Sequence, residues 1–113
     1  MDAQSVIEAA QSALKREAFD EAEKLLLPLA EKGNVETQSL LGATYQIQGK
    51  WDSAISWLRK AAEAGNGCAA HNLGVVYLTS PEPDPVEGRK WLQLAYDLGF
   101  EAQVASDPLW FKK

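Results

Sequence analysis

Residues 41–50 read LGATYQIQGK and residues 73–82 read LGVVYLTSPE, so the opening Leu-Gly-x-x-Tyr recurs after 32 residues. Laid on that interval, Gly33 aligns with Gly65, Asp20 with Asp52 and Asp84, Ala22 with Ala54, Leu26 with Leu58, and Ala30 with Ala62. A two-residue insertion between Tyr77 and Trp91 lengthens the last interval to 34, which pairs Trp57 with Trp91, Ala61 with Ala95 and Gly65 with Gly99. The insertion falls in TSPEPD, read as a loop, where added length costs little. The 113 residues therefore read as one domain of three repeats, at about 3–34, 35–66 and 67–100, closed by a C-terminal capping segment at 101–113.

Each repeat reads as two helices. Ala54, Ile55, Leu58, Ala61 and Ala62 follow the spacing that places one apolar stripe on a helix, and Leu73, Val76 and Tyr77 repeat it. The expected helices span 3–16, 20–32, 35–48, 52–64, 68–79 and 85–98. Asp20 with Glu23 and Asp84 with Glu87 have capping-box spacing, and Pro85 stands at a first helical position, where its missing N–H is harmless. Gly33, Gly65 and Gly99 supply the left-handed residue that ends a helix. Pro28 falls inside the second helix, where it predicts a kink. Gly42 and Gly74 on first helices, with Ala54, Ala61 and Ala62 on second helices, allow close antiparallel packing, while Tyr45, Tyr77, Trp57 and Trp91 fill the core side. Phe19 and Trp51 hold corresponding turn positions between paired helices, and Trp110 and Phe111 are expected to cover the end of the last repeat. A helix pair of this size cannot bury its apolar face alone, so about three must stack.

Composition narrows the function. Eleven Lys and Arg against 16 Asp and Glu leave a formal net charge of −5, which opposes nucleic acid and anionic membrane surfaces and favours neutral or basic partners. The chain has no signal-type opening and no apolar run near the roughly 18 residues of a membrane span, so a cytoplasmic location is expected. Cys68, the sole cysteine, has no internal disulfide partner. Met1 and the aromatic tail favour a whole protein over one end of a longer array.

PLAEKGNVETQSLLGATYQIQGKWDSAISWLRKAAEAGNGCAAHNLGVVY, with AEKG and KAAEAG ending second helices and LG-x-x-Y opening the next units, resembles the Sel1-like repeat branch of the tetratricopeptide superfamily. The resemblance implies an all-α, right-handed superhelix of three helix-turn-helix repeats. GKWDSAISWL has the shorter turn of an ordinary tetratricopeptide repeat, and Glu87-Gly88 stand where the family pattern has Lys-Ala. The first unit departs furthest, with Ala10 and Ala13 where Gly42 and Tyr45 stand, and reads as an N-terminal cap.

The resemblance also implies a non-catalytic interaction module that binds a peptide or partner protein on a concave face lined by the first helices. Helical phase assigns Glu8, Gln11, Glu36, Ser39, Ala43, Gln46, His71, Asn72 and Val75 to that groove. Asn72 is the leading single candidate, because an amide pairs with a peptide backbone whatever its side chains. Glu8 and Glu36 bias the groove toward basic or amine-bearing ligands. The Lys, Arg and Asn cluster of carboxylate-gripping relatives is missing, since only Lys15 is nearby, and no such clamp is expected.

Enzymatic readings lack parts. His71 is the sole histidine, and although Cys68 and His71 stand at i, i+3, two ligands do not make a metal site and no third residue completes a nucleophile pair. No phosphate-binding Gly-rich loop is present, and no cofactor is expected. Two rival readings keep the same fold: a small inhibitor or immunity-type protein that blocks a partner enzyme, and a self-associating structural unit driven by its tail. A monomer is expected in preference to a dimer.

Overall fold

The computed structural model describes residues 2–100; residues 101–113, with the expected capping segment and its Trp110 and Phe111, lie outside the described residues. Six helices occupy the described residues: α1 (Ala3–Lys15), α2 (Phe19–Glu31), α3 (Val35–Ile47), α4 (Trp51–Glu63), α5 (Gly67–Thr79) and α6 (Pro85–Asp97). Each is 13 residues long. The expected boundaries hold to within a residue or so, and the described part is an all-α helical-repeat solenoid. The first five helices start 16 residues apart, at 3, 19, 35, 51 and 67, so the 32-residue interval is two equal half-units. Only α6 starts later, after a five-residue connection at 80–84 that absorbs the insertion.

The helix ends explain this regularity. Gly33, Gly49, Gly65 and Gly99 all have positive φ, at 97°, 74°, 98° and 90°. The residue after each glycine sends its N–H back to the previous helix, as in Asn34 N–H to Leu29 O at 3.1 Å and Asn66 N–H to Ala61 O at 3.0 Å. This six-to-one bond satisfies a carbonyl that the helix end would leave orphaned. Glu17 holds the same place after α1 with φ 58°, and Ala18 N–H donates to Ala13 O at 2.8 Å. The motif therefore occurs five times with four glycines and one strained L-residue.

First helices begin on a periodic cap. The side-chain oxygens of Asp2, Asn34 and Asn66, spaced 32 apart, accept from the backbone N–H of Ser5, Thr37 and Ala69 at 2.8, 2.9 and 2.8 Å. The cap on Asp84 expected for α6 is present, its carboxylate accepting from Glu87 N–H at 3.1 Å, while the Glu87 carboxylate turns to Lys90 and Trp91. The capping box expected at Asp20 and Glu23 does not form: α2 begins at Phe19 with Ala18 as N-cap, and Asp20 lies in its first turn. A three-residue turn leaves α2 no room to start later, and an acid in the first turn suits the helix dipole without capping. Pro28 lies within a continuous α2, on its exposed side.

Consecutive helices pack against one another, and α3 also touches α5. The core runs through both layers: Leu26, Leu41, Leu58 and Leu73 are fully buried, with Ala54, Ala61, Ala69 and Ala70 between them. Glycine sets the helix spacing. A Cβ on Gly42 would lie 2.6 Å from Leu58 Cγ, and one on Gly74 would lie 2.8 Å from Leu92 Cγ and 2.9 Å from the Gly88 carbonyl oxygen. Gly88, the departure from Lys-Ala spelling, is itself crowded, since its Cβ would meet Leu78 Cγ at 2.8 Å. The core tyrosines tie repeats together: Tyr45 O–H donates to Glu23 at 3.0 Å across α2 and α3, and Arg59 on α4 donates to the Tyr77 hydroxyl on α5. Burial and the Glu23 carboxylate push the Tyr45 hydroxyl up to about 12. Trp57 and Trp91 are half-buried against the core, with Lys60 and Arg59 over their rings.

Two substitutions test the spacing and turn arguments. Gly74→Ala is expected to lower stability by about 1–3 kcal/mol, the range for overpacking, because the Gly88 carbonyl at 2.9 Å cannot yield; Gly42→Ala, whose Cβ meets chiefly the Leu58 side chain and reaches backbone only at 3.1 Å, should cost less. Urea unfolding ranks the two, and equal losses would contradict this account. Glu17→Gly should raise stability by about 1 kcal/mol by relieving the left-handed conformation, and an unchanged urea midpoint would show that the turn is not strained.

Candidate functional site

Burial of α3 between its neighbours leaves one side of it facing a cleft. The cleft has a volume of about 490 Å³, with α3 as its floor through Val35, Glu36, Ser39, Leu40 and Ala43. Ile7 and Gln11 of α1 form one wall, and Cys68 and Asn72 of α5, with the capping Asn66, form the other. All contributing helices are first helices of their repeats, the helices to which the resemblance assigns a groove.

The structure brings together five of the nine expected groove residues: Gln11, Glu36, Ser39, Ala43 and Asn72. Glu8 is exposed outside the cleft lining, and Gln46 and Val75 lie half-buried beyond it. His71 is not in the lining either; it is buried at 6% exposure, with its ring 5.0 Å from that of Phe100. Ile7, Val35, Leu40, Asn66 and Cys68 line the cleft without having been expected there. Three were available from the repeat interval, since Ile7 is the 32-residue counterpart of Ser39, Cys68 that of Glu36, and Leu40 that of Asn72. Val35 is apolar, and polarity alone does not separate an apolar cleft lining from an apolar core.

The chemistry of the cleft is that of a polar-edged apolar trough. Ile7, Val35, Leu40 and Ala43 supply apolar surface, Gln11 and Asn72 supply paired donors and acceptors, and Glu36 supplies a carboxylate. No Lys or Arg lines it, Lys15 included. Asn66 spends its side-chain oxygen on the cap of α5 and keeps its amide N–H groups. Asn72 Nδ2 lies 3.9 Å from Cys68 Sγ. Cys68 is exposed by area, yet its sulfur sits low enough for burial to push the thiol up, against the lowering effect of a hydrogen bond with Ser39. With its affinity for the proton raised in this way, the thiol stays protonated at neutral pH. Among the described residues no group of three or more His, Cys, Asp and Glu is placed to hold a metal ion, and no helix is long and apolar enough to cross a membrane.

The Sel1 repeat family model matches residues 52–66 and 69–100, that is α4 and then the α5–α6 pair with its longer connection. The chain is also similar to an F-box protein of Arabidopsis thaliana, 29% identical over 85 residues; these cover 75% of this chain but 24% of that protein's length. The matched repeats, the six equal helices and the glycine-spaced pairs agree with one another: residues 52–66 and 69–100 are similar to Sel1 repeats and lie in a helical-repeat solenoid.

Proposed function

We propose that the chain is a non-catalytic interaction module that holds an extended segment of a partner protein in the cleft over α3. Sel1 repeats generally mediate protein–protein interaction. The observation that carries the reading to this site is the convergence of α1, α3 and α5 on one trough that combines apolar side chains with the amides of Gln11 and Asn72. The volume of about 490 Å³ falls in the range of about 300–1,000 Å³ common to ligand clefts. Its shape is set by helices packed on both sides, so binding orders mainly the ligand, which limits the entropic cost. Glu36 without a neighbouring base favours a neutral or basic segment over an acidic one. The similar region makes up about a quarter of the Arabidopsis F-box protein, an arrangement that suits a module serving a larger assembly.

Peptides selected from a random displayed library on the wild-type chain provide the test. Ala43→Arg, which places a long cation on the cleft floor, should weaken the selected peptides at least roughly tenfold, about 1.4 kcal/mol, and Asn72→Ala should weaken them less. Bound peptide should also slow iodoacetamide alkylation of Cys68, the sole cysteine. Peptides that bind both variants as tightly as wild type and leave alkylation unchanged would move the site elsewhere.

A further inference from the structure

The repeat creates a second pair of clefts away from the concave face, at the edge where first helices end and second helices begin. One, of about 710 Å³, is lined among others by Phe19, Leu25, Glu17, Asp20 and Gln48. The other, of about 270 Å³, is lined by Trp51, Ile55, Asp52, Ser80, Pro81 and Glu82. They are the same place in successive repeats, because Phe19 and Trp51, Asp20 and Asp52, and Gln48 and Ser80 are each 32 residues apart. In both, an aromatic at the first position of a second helix stands beside an exposed aspartate, and the C-terminal end of the next repeat's first helix closes the far side.

We propose that this edge is a second interaction surface, which takes an extended segment of a partner protein carrying two basic side chains, one per cleft. Charge complementarity argues for that occupant. The two linings hold five carboxylates, Glu17, Asp20, Glu21, Asp52 and Glu82, against the single cation Lys24. Of these only Glu21 is engaged in an ion pair, with Arg16 at 3.0 Å. A guanidinium laid on Phe19 or Trp51 gains the attraction of the ring face and reaches the adjacent aspartate with the same group. The half-burial of both rings fixes their orientation in advance. A second copy of the chain is the weaker fit, since each copy carries a net charge of −5 and would bring acid to acid. An extended chain advances about 3.3 Å per residue, so basic residues three apart stand about 10 Å from one another, on the order of one helix diameter. This surface shares no lining residue with the cleft over α3, and the proposal is independent of that reading.

The probe is a fluorescein-labelled peptide, GRLSRLG-amide, with GELSELG-amide as control, read by fluorescence anisotropy on the full chain. The arginine peptide should bind and the glutamate peptide should not. The double substitution Asp20→Asn with Asp52→Asn should weaken binding at least fivefold, with the helical circular dichroism unchanged, while Ala43→Arg should leave binding as it is. Raising the salt from about 0.05 M to 0.5 M should weaken it further, as exposed charges are screened. Failure of the arginine peptide to bind, or loss of its binding in Ala43→Arg but not in the aspartate variant, overturns the proposal. So does a fall in solution mass in the aspartate variant without a change in peptide affinity, which would make the edge a contact between copies.

Discussion

The approach of a bare backbone to a leucine is the contact on which the solenoid depends. Where α5 crosses α6, Gly74 leaves room for Leu92 and the Gly88 carbonyl, and where α3 crosses α4, Gly42 leaves room for Leu58. In the first repeat Ala10 and Leu26, both fully buried, take those positions, so one methyl is accommodated there. A helix pair held this closely presents a fixed outer face to the next repeat, and the tyrosine hydroxyls of α3 and α5 then bond to charged groups on the helix before them. Pair spacing and stack spacing together determine how far apart α1, α3 and α5 stand, and therefore the width of the cleft.

Much of the fold was readable because repetition turns weak local signals into a periodic one. A single Gly or Asn is ambiguous, but Gly33 with Gly65 marks helix ends. Asn34 with Asn66 would have marked the N-caps had the same interval been applied to them. The Asp20–Glu23 spacing misled because a capping box and an acidic first turn have the same spelling, and only the three-residue turn distinguishes them. Glu17 hid a left-handed turn, since no composition rule puts glutamate there.

The candidate site was readable in part, for a different physical reason. Helical phase separates the core stripe from the remainder, which is how Gln11, Glu36, Ser39, Ala43 and Asn72 came together. It does not say how far along each helix a neighbour extends. His71 shows this: its phase is close to that of the cleft residues, but Phe100 covers it. The two surfaces of the molecule also divide its chemistry. The cleft over α3 combines apolar side chains with amides and one carboxylate, whereas the edge combines aromatic faces with five carboxylates, of which Glu21 is ion-paired.

The central claim is that the concave cleft exists before its ligand arrives. Amide hydrogen exchange on the free chain and on its complex with a selected peptide tests it most directly, since exchange reports the free energy of local opening. The account predicts that amides of α3 are already among the most protected in the free chain, and that binding adds protection only at residues that line the cleft. Weak protection of α3 when free, with gains along the whole of α1, α3 and α5 on binding, would show that the ligand folds the cleft and would contradict the account.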